Sequence, residues 1–288
     1  MHPADEAARL AVELAGAQRL ALGTMGLAGV YGPVPSDIAQ QTIRAALDVG
    51  ITLFDTAPLY GNGIAERLLG AELAGQDAAV VTKFGLAAGR DGMLFRDSRP
   101  ASVRRSVETS LRRLRRDRID ILLQHRPDPA VGEEEVAGML QRLVEEGKAA
   151  QVGLSGSSLT RAVAMGAMAP IRVVQNEFSA ASEILPRETP ADFSAAGLML
   201  MAHSPLARGL LARTQPRLFP VGDHRATMRS LDQAGQIALL ARAALRFSDF
   251  ATLSDPRVAI RWVLDQGAAV VAVIGARSPA QVRGLMHE

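Results

Sequence analysis

The sequence predicts a single (β/α)8 TIM barrel over residues 1–288, with a long insertion after the seventh strand. Three observations carry that expectation. Short β-rich segments alternate with helix-period segments eight times, the pattern of a parallel sheet with helical crossovers. The 288 residues, shared among eight units, leave each slightly more than a minimal repeat. Nothing like the glycine fingerprint GxGxxG follows the first strand, which weighs against an open doubly wound sheet.

Taken in order, the expected strands are Leu20–Gly23, Thr52–Asp55, Ala79–Lys83, Ile119–Gln124, Gln151–Ser155, Arg172–Gln175, Leu198–His203 and Ala269–Ile274. Each ends in small or polar residues. The helices between them carry their own punctuation. Ser36 and Asp37 can cap a helix that runs to Gly50, and Thr189 with Pro190 opens another that ends at Gly197. Ser254 can cap a further helix, with Pro256 in its first turn and Gly267 beyond its end. The seventh unit is the long one: Ala207–Leu253 holds a loop and a helical segment, Met228–Leu245.

Composition narrows the function classes. Hydrophobic residues make up 48% and charged residues 22%, a globular balance that excludes a disordered chain. No apolar run reaches the roughly 18 residues of a membrane span. The opening MHPADEAARLAVELAGAQ mixes acids into its apolar positions, so no secretory signal is expected. With zero cysteines there is no disulfide framework, no thiolate nucleophile and no cysteine metal site, which fits a cytoplasmic protein. Lys83 and Lys148 are the two lysines among 32 basic residues; the rest are arginine. The densest run, LRRLRRDR from Leu111 to Arg118, places leucines at helical spacing with arginines between, the solvated face of an amphipathic helix. No aromatic residues interleave with it, so no nucleic-acid partner is expected.

In a (β/α)8 barrel the reactive face lies at the C-terminal ends of the strands. The second strand ends at Asp55, followed five residues later by Tyr60, one of two tyrosines. The third ends at Lys83 and the fourth at His125. Singly, each has a bland reading: a turn cap, a strand-end charge, a buried histidine. Together on one rim they suit proton donation to a carbonyl oxygen, with no metal-ligand set. An ammonium beside a tyrosine stabilises the phenolate and lowers its pKa from about 10, a carboxylate holds that ammonium, and a histidine can orient the substrate oxygen. The missing partner is a hydride source, which a nicotinamide can supply.

The segments FDTAPLYGNGIAERLLG, VVTKFG, LLQHRPDP, VGLSGSS, VVQNEFS, AHSPLARGLL and VIGARSPAQV resemble the aldo-keto reductase superfamily, especially bacterial members with a QHR-x-DP stretch. The resemblance runs from about Leu20 to Val282. It implies an NADP-dependent reductase of aldehyde, ketone or sugar carbonyls, with NADPH preferred over NADH. Tyr60 would be the proton donor, Lys83 and Asp55 would tune it, and His125 would position the carbonyl. Ser155 and Gln175 match positions that hydrogen-bond the nicotinamide carboxamide. Ser204, Leu206 and Gly209 match the loop around the pyrophosphate. Arg277, Ser278 and Gln281 match the segment at the adenosine end, with Arg277 near the 2′-phosphate.

The chain departs from the family pattern at several of these places. Gly156 stands where asparagine usually follows the fifth-strand serine, and His203 where an aromatic ring usually stacks on the nicotinamide. Ile274 precedes Gly275 directly, without the usual proline, and Gly284 and Leu285 replace a Glu-Asn pair. With a short C-terminal loop expected, the substrate side is open unless the segment from Ala207 to Leu253 folds over it. Two other readings stay open: a nicotinamide-binding regulatory or sensing subunit with little turnover, and a sugar-nucleotide ketoreductase of a biosynthetic pathway. Tyr31, Phe84, Met25 and Arg126 are candidate pocket neighbours. Neither the substrate nor the oligomeric state is legible.

Overall fold

Eight parallel strands pair in chain order and close on themselves. A computed structural model describes residues 2–89, 91–182, 188–212, 215–247 and 255–285. The chain opens with α1 (Pro3–Ala15), β1 (Leu20–Gly23), α2 (Ser36–Asp48), β2 (Leu53–Asp55), α3 (Ile64–Glu72) and β3 (Ala79–Phe84). A small hairpin follows, β4 (Leu86–Ala88) and β5 (Leu94–Arg96), then α4 (Pro100–Leu114), β6 (Ile119–Gln124), α5 (Glu133–Glu145) and β7 (Ala149–Ser155). Next come α6 (Leu159–Gly166), β8 (Ile171–Glu177), α7 (Pro190–Ala195), β9 (Met199–His203), α8 (Gln233–Ala244), α9 (Pro256–Leu264), β10 (Val270–Gly275) and α10 (Pro279–Gly284). The barrel runs β1, β2, β3, β6, β7, β8, β9, β10 and back to β1, every pair parallel. The eight expected strands are all present: Leu20–Gly23 and Ile119–Gln124 coincide with expectation, and the other six differ at one or both ends by one or two residues.

The period of two along each strand sorts the core into two layers. Outward residues such as Leu22, Phe54, Val80, Leu122, Val174 and Leu200 pack against the helices. Inward residues such as Ala21, Leu53, Val81, Leu123, Val173, Met201 and Val271 fill the barrel. Continuing the inward set by two residues on successive strands gives Asp55 after Leu53, Lys83 after Val81 and His125 after Leu123. The same step gives Ser155 after Gly153, Gln175 after Val173 and His203 after Met201. The polar residues therefore form a layer stacked on an apolar floor at the C-terminal rim.

Two elements were not expected from the sequence. Helix α1 buries Ala11 and Ala15 against the barrel interior, closing the end opposite the rim. Leu10, Ala11, Leu14 and Ala15 carried that signal at helical spacing. The β4–β5 hairpin turns near Asp91-Gly92, where Gly89 N–H donates to the Met93 carbonyl at 2.8 Å; an Asp-Gly pair is a hairpin signal.

Of three punctuation expectations, one needs correction and one falls outside the described residues. Ser36 and Asp37 do not cap α2: both lie inside it, and the preceding Pro35 has no side-chain donor or acceptor to offer. The Asp37 carboxylate in the first turn instead favours the helix N-terminus through the dipole. Ser254 lies outside the described residues, and Asp255 caps α9 by accepting from Arg257 N–H at 2.9 Å. Thr189 caps α7 as expected, in a reciprocal capping box with Asp192. In the arginine run, two members are structural clamps rather than solvated charges. Arg113 reaches the fully buried Glu66 at 3.0 Å, and Arg116 holds Asp120 at 2.9 Å and the Ala78 carbonyl at 2.7 Å. Lys148, just before β7, pairs with Glu108 at 3.5 Å at the α1 end of the barrel.

The long segment after β9 packs its own small core on the rim side, from Ala207, Leu210, Leu211, Leu240 and Ala243 to Ala180, Ala181 and Ala259. It also ties to the loop after β1. Asp223 bridges Tyr31, His224 N–H donates to the Val30 carbonyl at 3.1 Å, and the Arg225 guanidinium lies 4.6 Å from the Tyr31 ring centre. The segment thus builds a wall of the mouth, with His224, Arg225 and Met228 lining it.

Candidate active site

A cavity of about 720 Å³ opens at the C-terminal rim. It is lined by Asp55, Tyr60 and His125, with Lys83 buried behind them at 1% exposure. Ser155, Gln175 and His203 line it at the barrel mouth, Ser204, Leu206 and Gly209 on the loop after β9, and Arg277 and Gln281 on the segment after β10. Ser278 does not line it. Its hydroxyl accepts from Gln281 N–H at 3.3 Å and caps α10.

The Lys83 ammonium uses its three N–H groups on one side of this cavity. It reaches the two Asp55 carboxylate oxygens at 2.9 and 2.8 Å, the Thr56 carbonyl at 2.8 Å, and the Tyr60 hydroxyl oxygen at 3.5 Å. Burial alone would push Lys83 down, but Asp55 and Tyr60 outweigh it and hold the ammonium above its ordinary range. Asp55 therefore anchors Lys83 and does not cap a turn. Because the phenol oxygen accepts from Lys83, its own proton is free to point at a ligand.

The expected lowering of Tyr60 is reversed. Burial in a low-dielectric site raises its pKa more than the Lys83 charge lowers it. The phenol therefore stays protonated, the form a proton donor requires. Its ring meets that of His125 edge-on, with centres 6.1 Å apart and planes at 86°. His125 is pushed down to about 2, first by burial and then by Lys83 and Arg126, so it is a neutral imidazole. His203 is held down to about 3 by burial and by Arg126 and Arg208, and its Nδ1 lies 3.2 Å from Ser204 Oγ.

Sequence reasoning did not connect Gln175 to the catalytic group. Its amide nitrogen donates to Asp55 Oδ2 at 2.7 Å, which leaves the amide oxygen to accept from a ligand. Nor did it foresee how Gly156 is accommodated. Gly156 has φ +65°, and Arg126 occupies the space beside it, donating from Nη1 to Ser155 Oγ at 3.1 Å. The loop after β9 is conformationally costly: Ser204, Ala207 and Arg208 have φ of 59°, 45° and 59°, a region L-residues rarely adopt. Arg277 donates from Nη2 to the Gly32 and Pro33 carbonyls at 3.1 Å each, tethering the loop after β1.

Two buried polar atoms among these groups have no protein partner, His125 Nδ1 and Arg277 Nε. His125 Nδ1 is left for a second ligand beside Tyr60. Arg277 Nε, with the Gln175 amide oxygen and Ser155, suits a long ligand with a carboxamide at one end and an anionic group at the other. A nicotinamide dinucleotide has that chemistry, and the residues fit it.

Comparison with known proteins finds one family over most of the chain. The family model described as the Aldo/keto reductase family matches residues 19–287. The aldo-keto reductase YhdN of Bacillus subtilis (strain 168) is 31% identical over 282 residues, covering 93% of this chain and 84% of the relative. The probable aldo-keto reductase 1 of Glycine max is 32% identical over 267 residues, covering 89% and 76%. Among solved structures, the glycerol dehydrogenase AKR11B4 from Gluconobacter oxydans superposes with a TM-score of 0.80 at 35% identity, covering 93% and 85%. No helix among the described residues is long and apolar enough to cross a membrane.

Proposed function

The chain belongs to the aldo/keto reductase family of carbonyl-reducing oxidoreductases, and on that premise we propose that it is an NADPH-dependent reductase in which Tyr60 donates the proton. The observation that carries the reading is the Asp55–Lys83–Tyr60 chain, buried on one side and open to the cavity on the other.

When bound, a reduced nicotinamide supplies the hydride. The Ser155 hydroxyl and the Gln175 amide oxygen would hold its carboxamide, and the neutral His203 ring would offer a stacking face. The strained loop at Ser204, Leu206 and Gly209 would wrap the pyrophosphate. Arg277 would meet a 2′-phosphate, with Gln281 beside it: the Gln281 side-chain oxygen accepts from Arg277 N–H at 2.7 Å. Ser278 acts one step away, by capping α10. That a guanidinium pairs with a dianionic phosphate by charge-assisted bonds supports the preference for NADPH.

In the chemical step, the substrate oxygen lies against Tyr60 and His125. His125, held neutral, can donate one hydrogen bond to that oxygen and polarise the carbonyl. Tyr60 delivers its proton as charge builds on the oxygen, and the Lys83 ammonium stabilises the phenolate left behind. Asp55 keeps Lys83 charged, and Gln175 keeps Asp55 in place. The Tyr60 hydroxyl is re-protonated from solvent before the next turnover.

Steady-state turnover of a generic aldehyde with NADPH tests the proposal. NADPH oxidation matched by alcohol formation is the expected result. Tight NADPH binding with no turnover across a panel of aldehydes, ketones and keto sugars would overturn it in favour of a sensing role.

A further inference from the structure

Arg126 follows His125 in sequence and lines the same cavity, half-buried. One nitrogen holds it in place: Nη1 donates to the His125 carbonyl at 2.8 Å and to Ser155 Oγ at 3.1 Å. The glycine at 156 makes the room, since a Cβ there would stand 3.0 Å from Nη1 and 3.4 Å from Cδ. Among the described residues, Nη2 and Nε have no hydrogen-bond partner and no carboxylate pairs with the group. Two other arginines at the cavity differ on this point. Arg208 is paired with Glu177 at 2.9 Å and Arg225 with Asp223 at 2.6 Å. Glu177, the acidic group that acts on Arg126 through space, is therefore already engaged, while Arg208 and Arg96 add positive charge nearby.

A half-buried guanidinium without a counter-charge is costly, and an anion that docks on its free edge relieves the cost. Arg126 is anchored on the His125 carbonyl and Ser155 Oγ, so such an anion would sit at the catalytic end of the cavity. Arg126 follows β6 and Arg277, assigned to the 2′-phosphate, follows β10, four strands away around the barrel. We infer that Arg126 selects carbonyl substrates that carry an anionic group, a carboxylate or a phosphate, close to the reacting carbonyl. The inference rests on the reductase reading above and narrows its substrate class.

Matched substrate pairs test it: succinic semialdehyde against butanal, and glyceraldehyde 3-phosphate against glyceraldehyde, each with saturating NADPH. The readout is the ratio of kcat/KM for the anionic member to that for its neutral partner. In the wild-type enzyme the ratio should exceed one in at least one pair, and the pair that shows it identifies the anion as carboxylate or phosphate. Arg126→Gln should cut that ratio by about tenfold to a hundredfold, the scale of a charge-assisted hydrogen bond. Arg126→Lys, which keeps the charge but loses the planar fork, should retain part of it. A wild-type ratio at or below one in both pairs overturns the inference without any variant. A ratio unchanged in Arg126→Gln overturns it as well, and either result leaves the reductase reading standing. No turnover of any of the four compounds overturns both.

Discussion

Replacing Lys83 by methionine isolates the buried charge pair at the centre of the site. Lys83 is 1% exposed and Asp55 4% exposed, and the carboxylate receives three short bonds, two from the ammonium and one from Gln175. Lys83→Met keeps the bulk but leaves a buried carboxylate with a single neutral donor. Breaking a buried pair in this way costs about 3–5 kcal/mol, whereas replacing both members with neutral groups is often close to neutral. The single variant should therefore be strongly destabilised, and Asp55→Asn/Lys83→Met should recover at least about half of the loss. Urea unfolding at pH 7 can follow this through Trp262, the sole tryptophan, which stacks on Phe178. With an m-value near the upper end of the usual range, about 3 kcal/mol/M, the midpoint should fall by about 1–2 M in Lys83→Met. Neither variant should reduce an aldehyde at an appreciable rate, because neither has an ammonium beside Tyr60. A midpoint shift in Lys83→Met too small to resolve, or a double variant no more stable than the single one, would refute the assignment of Asp55 as a charge that needs its partner. Activity restored in the double variant would remove Lys83 from the chemistry.

Tyr60→Phe keeps the ring but removes the donor, so kcat should fall by roughly 10²–10⁴-fold while NADPH titration is nearly unchanged; retention of most of kcat would exclude Tyr60. Arg277→Ala should weaken NADPH by about tenfold to a hundredfold and spare NADH. If fluorescence titration shows both weakened alike, the work of Arg277 is its tether to Gly32 and Pro33. His125 is neutral when folded, with its pKa down to about 2, below the roughly 6.5 of an unfolded chain. Its contribution to stability is whole above pH 6.5 and is lost on acidification, by about 2 kcal/mol at pH 5. The stability difference between pH 7 and pH 5 should be smaller by that amount in His125→Gln than in wild type, and an equal difference would mean that the imidazole is not held neutral.

The rim was legible because strand geometry is local. Once the eight strands were placed, the two-residue period sent Asp55, Lys83, His125, Ser155, Gln175 and His203 to one layer. What the sequence could not display were effects set by distant partners. The bond from Gln175 to Asp55 joins residues 120 apart in the chain. The direction of the Tyr60 shift depends on how completely the fold removes water, which no local pattern encodes. The room for Arg126 follows from a missing side chain at position 156, read in sequence as a lost contact and filled in the fold by a neighbour. Helix α1 was overlooked for a different reason: its residues were weighed as an export signal and not as a cover for the barrel floor.

The scarcity of lysine has a practical side. Lys83 is sealed from solvent, while Lys148 is partly open at the end of the barrel away from the cavity. Of the two lysines, amine-reactive reagents thus meet one accessible ε-amino group. Coupling to a resin or sensor chip through Lys148 would orient every molecule with its mouth facing the bulk solution. Arginines elsewhere keep the surface charged without offering competing ε-amino groups.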